Sequence, residues 1–330
     1  MIISRTPFRI SFAGGGTDLR EFYSREEGQV ISTGIDKYIY VAVKRQTAIS
    51  ECKFRINWSK VEFRDRIEDI EHPIIREALK IMDMDFPLEI STFADIPANT
   101  GLGSSSSFAV GLLHALFALK GKMVTKGTLA DMATHLEVDV LGRNIGKQDH
   151  YAAAYGNLNV FTFHTDGTVS VDPVFYRPET KLEIERHLML FYTVLKRDAN
   201  EILQTQRART SEKHHVLAEM KGQVAPLREI LSSGGNLSEF GRTLHRGWLL
   251  KKSLTDEVSS SQIDEYYERA LRAGAFGGKL LGAGGGGFLL FFVEPKDQKA
   301  VADSLKELYQ LPFKFENTGT RITYYDQAMV

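Results

Sequence analysis

The sequence predicts an α+β protein organised as two domains, and three observations carry that expectation. Residues 5–13 (RTPFRISFA) and 38–45 (YIYVAVKR) alternate apolar with polar side chains around a glycine turn at Gly14 to Gly16, the pattern of paired strands. Helical periodicity near 73–82, 104–120 and 128–141 is separated by the strand-like LEISTFADI (88–96) and NLNVFTFHT (157–165). A turn-rich stretch, TDGTVSVDPVFYRPETK (165–181), then precedes a fresh strand, HLMLFYTVL (187–195). These features put a boundary near residue 180, giving domains 1–180 and 181–330. The second half reads as that strand, charged helices to about residue 273, a glycine-rich connector, the strand FLLFFVE (288–294), a short helix and a closing strand, RITYYD (321–326).

At 330 residues and 43% apolar composition the chain can bury a substantial core. Its 41 Lys and Arg balance 42 Asp and Glu, which argues against a nucleic-acid or anionic-membrane surface as the main partner. The longest apolar run, Ala109 to Leu119, is broken by His114 and falls short of the roughly 18 residues a membrane-spanning helix needs. The N-terminus reads as a strand and lacks signal-peptide features, so a cytoplasmic location is expected. Cys52 stands alone, which excludes a disulfide framework or a multi-cysteine metal site.

The segment DIPANTGLGSSSSFAVGLLHAL (95–116) places a glycine turn and four serines at the mouth of a helix. The first backbone N–H groups of a helix lack intrahelical partners and, with the helix dipole, attract a phosphate. Gly101 and Gly103 open conformations closed to other residues, while Ser104 to Ser107 offer caps and hydroxyls for phosphate oxygens or hydrated magnesium. The plain alternative is one capping serine among surface residues. No Walker motif exists, since the Gly-Lys pairs at 121, 146 and 278 are followed by Met, Gln and Leu.

A second run, KLLGAGGGGF (279–288), has Gly282, Gly284 and Gly287 in G-x-G-x-x-G spacing, but it follows a helix and enters a strand. That order is the reverse of a dinucleotide fold. Four consecutive glycines against a buried strand point to close approach by another backbone or a ligand.

Phosphoryl transfer needs a group to receive the attacking hydroxyl's proton and groups to neutralise phosphate charge. HLEVDVLGRNIGKQDHY (135–151) offers Glu137, Asp139 and Asp149. Leu129, Met132, Leu136 and Val140 form an apolar helical stripe with Glu137 and Asp139 on opposite flanks, so periodicity does not choose between the two. A solvated helix flank is the ordinary place for Glu137, and a turn or cap the ordinary place for Asp149.

Taken in order, RTPFRISFAGGGTD (5–18), PANTGLGSSSS (97–107) and KLLGAGGGGF (279–288) resemble the three signature motifs of the GHMP kinase superfamily. The resemblance spans nearly the whole chain. It implies an N-terminal domain like ribosomal protein S5 domain 2 and a ferredoxin-like C-terminal domain, with ATP and substrate in the cleft between them. RTPFRISFAGGGTDL, STGIDKYIYV, HPIIREAL and GKQDHYAAAYG further resemble bacterial D-glycero-D-manno-heptose 7-phosphate kinases, which phosphorylate the anomeric C1 hydroxyl.

By this resemblance Pro97, Gly101, Leu102, Gly103, Ser104, Ser105, Ser106 and Ser107 bind ATP. The galactokinase spacing E-x4-G-x3-G-x2-D falls on Glu137, Gly142, Gly146 and Asp149, making Glu137 a Mg2+ ligand together with Ser105, and Asp149 the catalytic aspartate. Arg9 falls beside that aspartate, where it would stabilise transition-state charge. His150 stands where the family often has Gln and is read as packing or orienting. Gly15, Gly16, Thr17 and Asp18, with Gly284, Gly285 and Gly286, fall on the substrate side. Where galactokinases have Gly-Glu-His-Thr-Asp this chain has Gly14-Gly15-Gly16-Thr17-Asp18, so a carboxylate and a ring are missing and a phosphorylated, longer sugar is easier to admit. Arg20, Arg25 and Lys37 are the nearby candidates for its countercharge. The rival readings are a kinase of plain fucose or galactose and a non-catalytic sugar and ATP sensor.

Overall fold

The computed structural model describes residues 1–47, 51–195 and 199–326. Strand β1 (Ile2–Ala13) pairs antiparallel with the long β2 (Gly28–Arg45), and together they form the spine of the larger sheet. The other edge of β2 is shared. Its Ile39–Arg45 half pairs with β5 (Leu88–Ala94), and its Gly28–Thr33 half with β6 (Leu158–Phe163). Two short strands, β3 (Phe54–Asn57) and β4 (Val61–Arg64), extend the sheet beyond β5, and β7 (Val169–Pro173) pairs with β6.

A second sheet is built from β8 (Leu188–Tyr192), β9 (Ala275–Leu280), β10 (Phe288–Val293) and β11 (Tyr309–Gln310), in the order β11-β8-β10-β9. Both of its faces are covered, which is why β8 and β10 read as continuous apolar runs. Leu188, Leu190, Leu290 and Phe292 join the main core, while the alternate Met189, Phe191, Leu289 and Phe291 pack with Trp248, Ile263 and Tyr267 in a second core. The chain then returns to the first sheet through β12 (Phe315–Glu316) on β2 and β13 (Arg321–Tyr325) on β1. Two strands beyond residue 180, β12 and β13, thus pair with the first sheet.

The helix Ser104–Leu119 is apolar around most of its circumference because it is buried, packing on β1 and β2. The helix expected over 128–141 divides. Lys126–Thr134 is α-helical, and His135–Val140 forms a wider π turn closed by Leu141 N–H donating to the Leu136 carbonyl at 3.1 Å. The expected glycine connector contains a strand instead. In β9 a Cβ at Gly277 would come 2.2 Å from the Gly241 carbonyl oxygen, so the helix Leu237–Lys252 lies directly on the strand.

Candidate active site

Arg9 and Ser11 occupy alternate positions of β1 and both line a cavity of about 210 Å³ with Gly101, Gly103, Ser104, Ser105 and Ser106. Arg9 is 4% exposed and makes a bidentate pair with Asp149, Nε donating to Oδ1 at 2.6 Å and Nη2 to Oδ2 at 2.7 Å. Its Nη1 donates to the Gly101 carbonyl at 2.7 Å, and its backbone N–H to the Leu102 carbonyl at 3.1 Å. One arginine thus ties the glycine loop to the aspartate. Asp149 stands in the first turn of the helix Gln148–Tyr155, where the helix dipole favours an anion. A Cβ at Gly103 would sit 3.2 Å from Asp149 Oδ2, so the loop glycine and the carboxylate are immediate neighbours.

Gly103 is the cap residue of the helix Ser104–Leu119, at φ +78°, and no side chain caps the helix. The first-turn N–H groups therefore meet the cavity directly, and a phosphate chain fits there. Ser107 does not take part, because it is fully buried and donates to the Pro7 carbonyl at 3.0 Å. Leu102 is core, and Pro97 is exposed outside the cavity wall. Asn99, two residues on from Pro97, lines the cavity.

Glu137 is fully buried rather than on a solvated flank, whereas Asp139 pairs with His135 at the surface. The π turn supplies the reason: its extra residue per turn rotates Glu137 away from where a 3.6-residue period puts it. Burial works to raise the pKa of Glu137. Hydrogen bonds and charge from His150 and Arg143, with the Ser105 hydroxyl, outweigh it and hold the group down at about 2. His150 Nε2 lies 2.8 Å from Glu137 Oε2, so the histidine orients the carboxylate. Arg143 Nη1 donates to both Ser105 Oγ and Glu137 Oε1, and Ser105 Oγ donates to that same carboxylate oxygen. A hydroxyl and an ionised carboxylate thus converge on one cation, and a hard divalent ion fits the same donor set.

Asp18 faces the cavity but is only 2% exposed, accepting from Gly16 N–H at 2.9 Å and from Gln148 N–H and Nε2 at 3.2 and 3.0 Å. Burial, then the neighbouring Asp149 charge, raises its pKa. Gly15 and Gly16 line the cavity beside it.

Several expected substrate residues lie elsewhere. Thr17 is interior, its hydroxyl donating to the Gly14 carbonyl at 2.7 Å and accepting from Gln29 N–H at 3.0 Å. A Cβ at Gly284 would lie 2.8 Å from Val258 Cα, and one at Gly286 would lie 2.3 Å from the Leu195 carbonyl oxygen. Gly285 N–H donates to the Val258 carbonyl at 2.9 Å. These three glycines serve packing, and the run reaches the cavity through Lys279, Gly282 and Ala283. Of the proposed countercharges, Arg20 lines a neighbouring cavity, Arg25 is exposed and Lys37 pairs with Asp36 at 3.0 Å. The cavity's lysines are instead Lys251 and Lys279, which the sequence reading missed. The one signal for Lys279 was a charge in the middle of an otherwise small and apolar stretch, AFGGKLLGAG (275–284).

The profile of the GHMP kinases N terminal domain matches residues 73–157, and that of the GHMP kinases C terminal domain matches 206–311. A D-glycero-alpha-D-manno-heptose 7-phosphate kinase of Campylobacter jejuni is 28% identical over 97% of this chain and 98% of its own. A galactokinase of Pyrococcus furiosus is 24% identical over 96% of this chain and 95% of its own. The crystal structure of a D-glycero-D-manno-heptose 1-phosphate kinase from Bacteroides thetaiotaomicron superposes with a TM-score of 0.81 at 24% identity, covering 99% of this chain and all of that one. The chain has the two-domain GHMP kinase fold and belongs to the GHMP kinase family, as a sugar kinase.

Proposed function

We propose that this kinase transfers the γ-phosphate of ATP to the anomeric C1 hydroxyl of D-glycero-D-manno-heptose 7-phosphate, giving the 1,7-bisphosphate. The observation that carries the reaction is the Arg9–Asp149 pair set against the glycine and serine helix mouth. The acceptor oxygen forms a bond to the γ-phosphorus as the bond to the bridging oxygen of ADP breaks. ADP leaves with that electron pair, and the hydroxyl proton passes to Asp149. Arg9 fixes the carboxylate's position and adds positive charge near the transferring group. Ser105 and Glu137 would hold a magnesium ion, which supplies charge neutralisation on the phosphates. A cytoplasmic enzyme is the setting in which both substrates are at hand.

The choice of sugar is supported by the name of the Campylobacter relative and by Gly15, which lines the cavity without a side chain where galactokinases carry a larger group. The test is a coupled ADP-release assay with phosphorus NMR of the product. Heptose 7-phosphate should drive ADP release and yield a new phosphate ester at C1. An ester at another carbon, or ligand binding without turnover, would overturn the proposal, the latter in favour of a sensor.

A further inference from the structure

Lys251 and Lys279 stand together at the cavity wall at 8% and 7% exposure, and among the described residues neither makes an ion pair. Lys279 Nζ donates to the Phe12 carbonyl at 3.0 Å. Lys251, in the last turn of Leu237–Lys252, donates to the Leu280 carbonyl at 3.2 Å and to the Gly282 carbonyl. An ammonium carries three donors, so these bonds leave two on Lys279 and one on Lys251. The Ser11 hydroxyl beside them lines the same cavity, is 8% exposed and has no hydrogen-bond partner among the described residues. Three N–H donors and a hydroxyl match the terminal oxygens of a phosphate monoester.

Lys251 lies against the glycine loop, since a Cβ at Gly282 would come 2.4 Å from Gly101 Cα, whereas Lys279 and Ser11 lie farther along β1 from the helix mouth. β1 meets the glycine loop at Arg9, through the Leu102 carbonyl, and runs on through Ser11 and Phe12 to the turn at Gly14. Lys279 is therefore anchored on the acceptor side of Arg9, where a Cβ at Gly15 would lie 3.9 Å from Ser11 Oγ. We propose that Lys279, Lys251 and Ser11 form a second phosphate subsite, distinct from the loop 101–107, which binds the phosphate already carried by the acceptor. The proposal rests on the sugar-phosphate reading above and gives it the countercharge that Arg20, Arg25 and Lys37 do not supply. Two buried like charges with no carboxylate between them are costly, and a bound dianion relieves both. Burial next to Arg9 accordingly brings Lys279 down to about 7, and burial with the charges of Lys279 and Arg9 brings Lys251 well below its ordinary value.

The test uses Lys279→Met and Lys251→Met, which keep the buried stem, and Ser11→Ala as a milder third variant. With a non-hydrolysable ATP analogue filling the nucleotide site, inorganic phosphate is titrated calorimetrically. Each lysine variant should lose at least tenfold in phosphate affinity beyond any change in affinity for the analogue, and Ser11→Ala should lose several-fold. Equal losses of phosphate and analogue, or undiminished phosphate binding, would overturn the subsite. In turnover, kcat/KM for heptose 7-phosphate relative to plain heptose should fall at least tenfold. An unchanged ratio with kcat reduced for both acceptors would put the lysines on the transferred phosphoryl group instead. If the wild-type enzyme fails to use heptose 7-phosphate at all, the substrate reading fails while the phosphate titration still decides the subsite.

Discussion

Gly101 and Gly103 open onto the cavity, whereas Gly284 and Gly286, in a denser glycine run, pack against Val258 and Leu195. Yet the two runs interlock. A Cβ at Gly101 would lie 2.6 Å from the Leu281 carbonyl oxygen, and one at Gly287 would lie 2.3 Å from that of Thr100. The first run lines the cavity and the second packs behind the first. Glycine in a sequence reports that something must come close, but not whether it is a phosphate or another backbone.

The comparison predicts that changes beside the first run cost activity and changes in the second cost stability. The largest effect is expected for Asp149→Asn, next to Gly103: kcat should fall by at least roughly 10²-fold while nucleotide binding persists. Near-normal turnover would remove Asp149 from the mechanism. Gly287→Ala should destabilise the protein by about 2–4 kcal/mol through overpacking and a strained positive φ, and should weaken nucleotide binding with no contact to nucleotide. Gly15→Ala, whose Cβ would meet only ordinary van der Waals neighbours at 3.6 and 3.9 Å, is the control that should melt like wild type. Equal melting temperatures for the two alanine variants would break the distinction.

A smaller effect separates a binding residue from a structural one. Lys279 titrates near 7 in the folded protein against an ordinary lysine value of 10.5, so between these the unfolded chain binds more protons and stability rises with pH. Below 7 the buried charge exacts its full cost. Lys279→Met should therefore raise the melting temperature most near pH 6, and the gain should shrink toward pH 10. A loss of stability at pH 6 would mean that the lysine's charge supports the fold. Smallest of the four, Glu137→Gln should raise the magnesium concentration for half-maximal activity several-fold, because a neutral amide replaces an anionic ligand. An unchanged magnesium titration would exclude Glu137 as a ligand.

Local features were legible from the sequence. The strand alternation of 5–13, the helix mouth at 103–107 and the apolar strands of the second sheet each arise from neighbouring residues. Features made by folding were not. Arg9 and Asp149 are 140 positions apart, and Lys279 reaches a carbonyl 267 positions away. Only the family resemblance brought the first pair together, and nothing brought the second. Glu137 was undecidable by helical periodicity because the turn that buries it is not α-helical. β9 was missed because its two glycines were read as part of a connector, whereas Gly277 admits the helix Leu237–Lys252 and Gly278 the neighbouring strand β10.

The central claim is that this cavity is built for a sugar that already carries a phosphate. Its most direct test is kcat/KM for D-glycero-D-manno-heptose 7-phosphate against plain heptose, galactose and fucose under one ATP and magnesium concentration. The phosphorylated heptose should be preferred by at least roughly tenfold, the value of a single charge-assisted contact of about 1.4 kcal/mol. Equal or better use of any unphosphorylated sugar would contradict the claim and leave a sugar kinase of the GHMP family with a different acceptor.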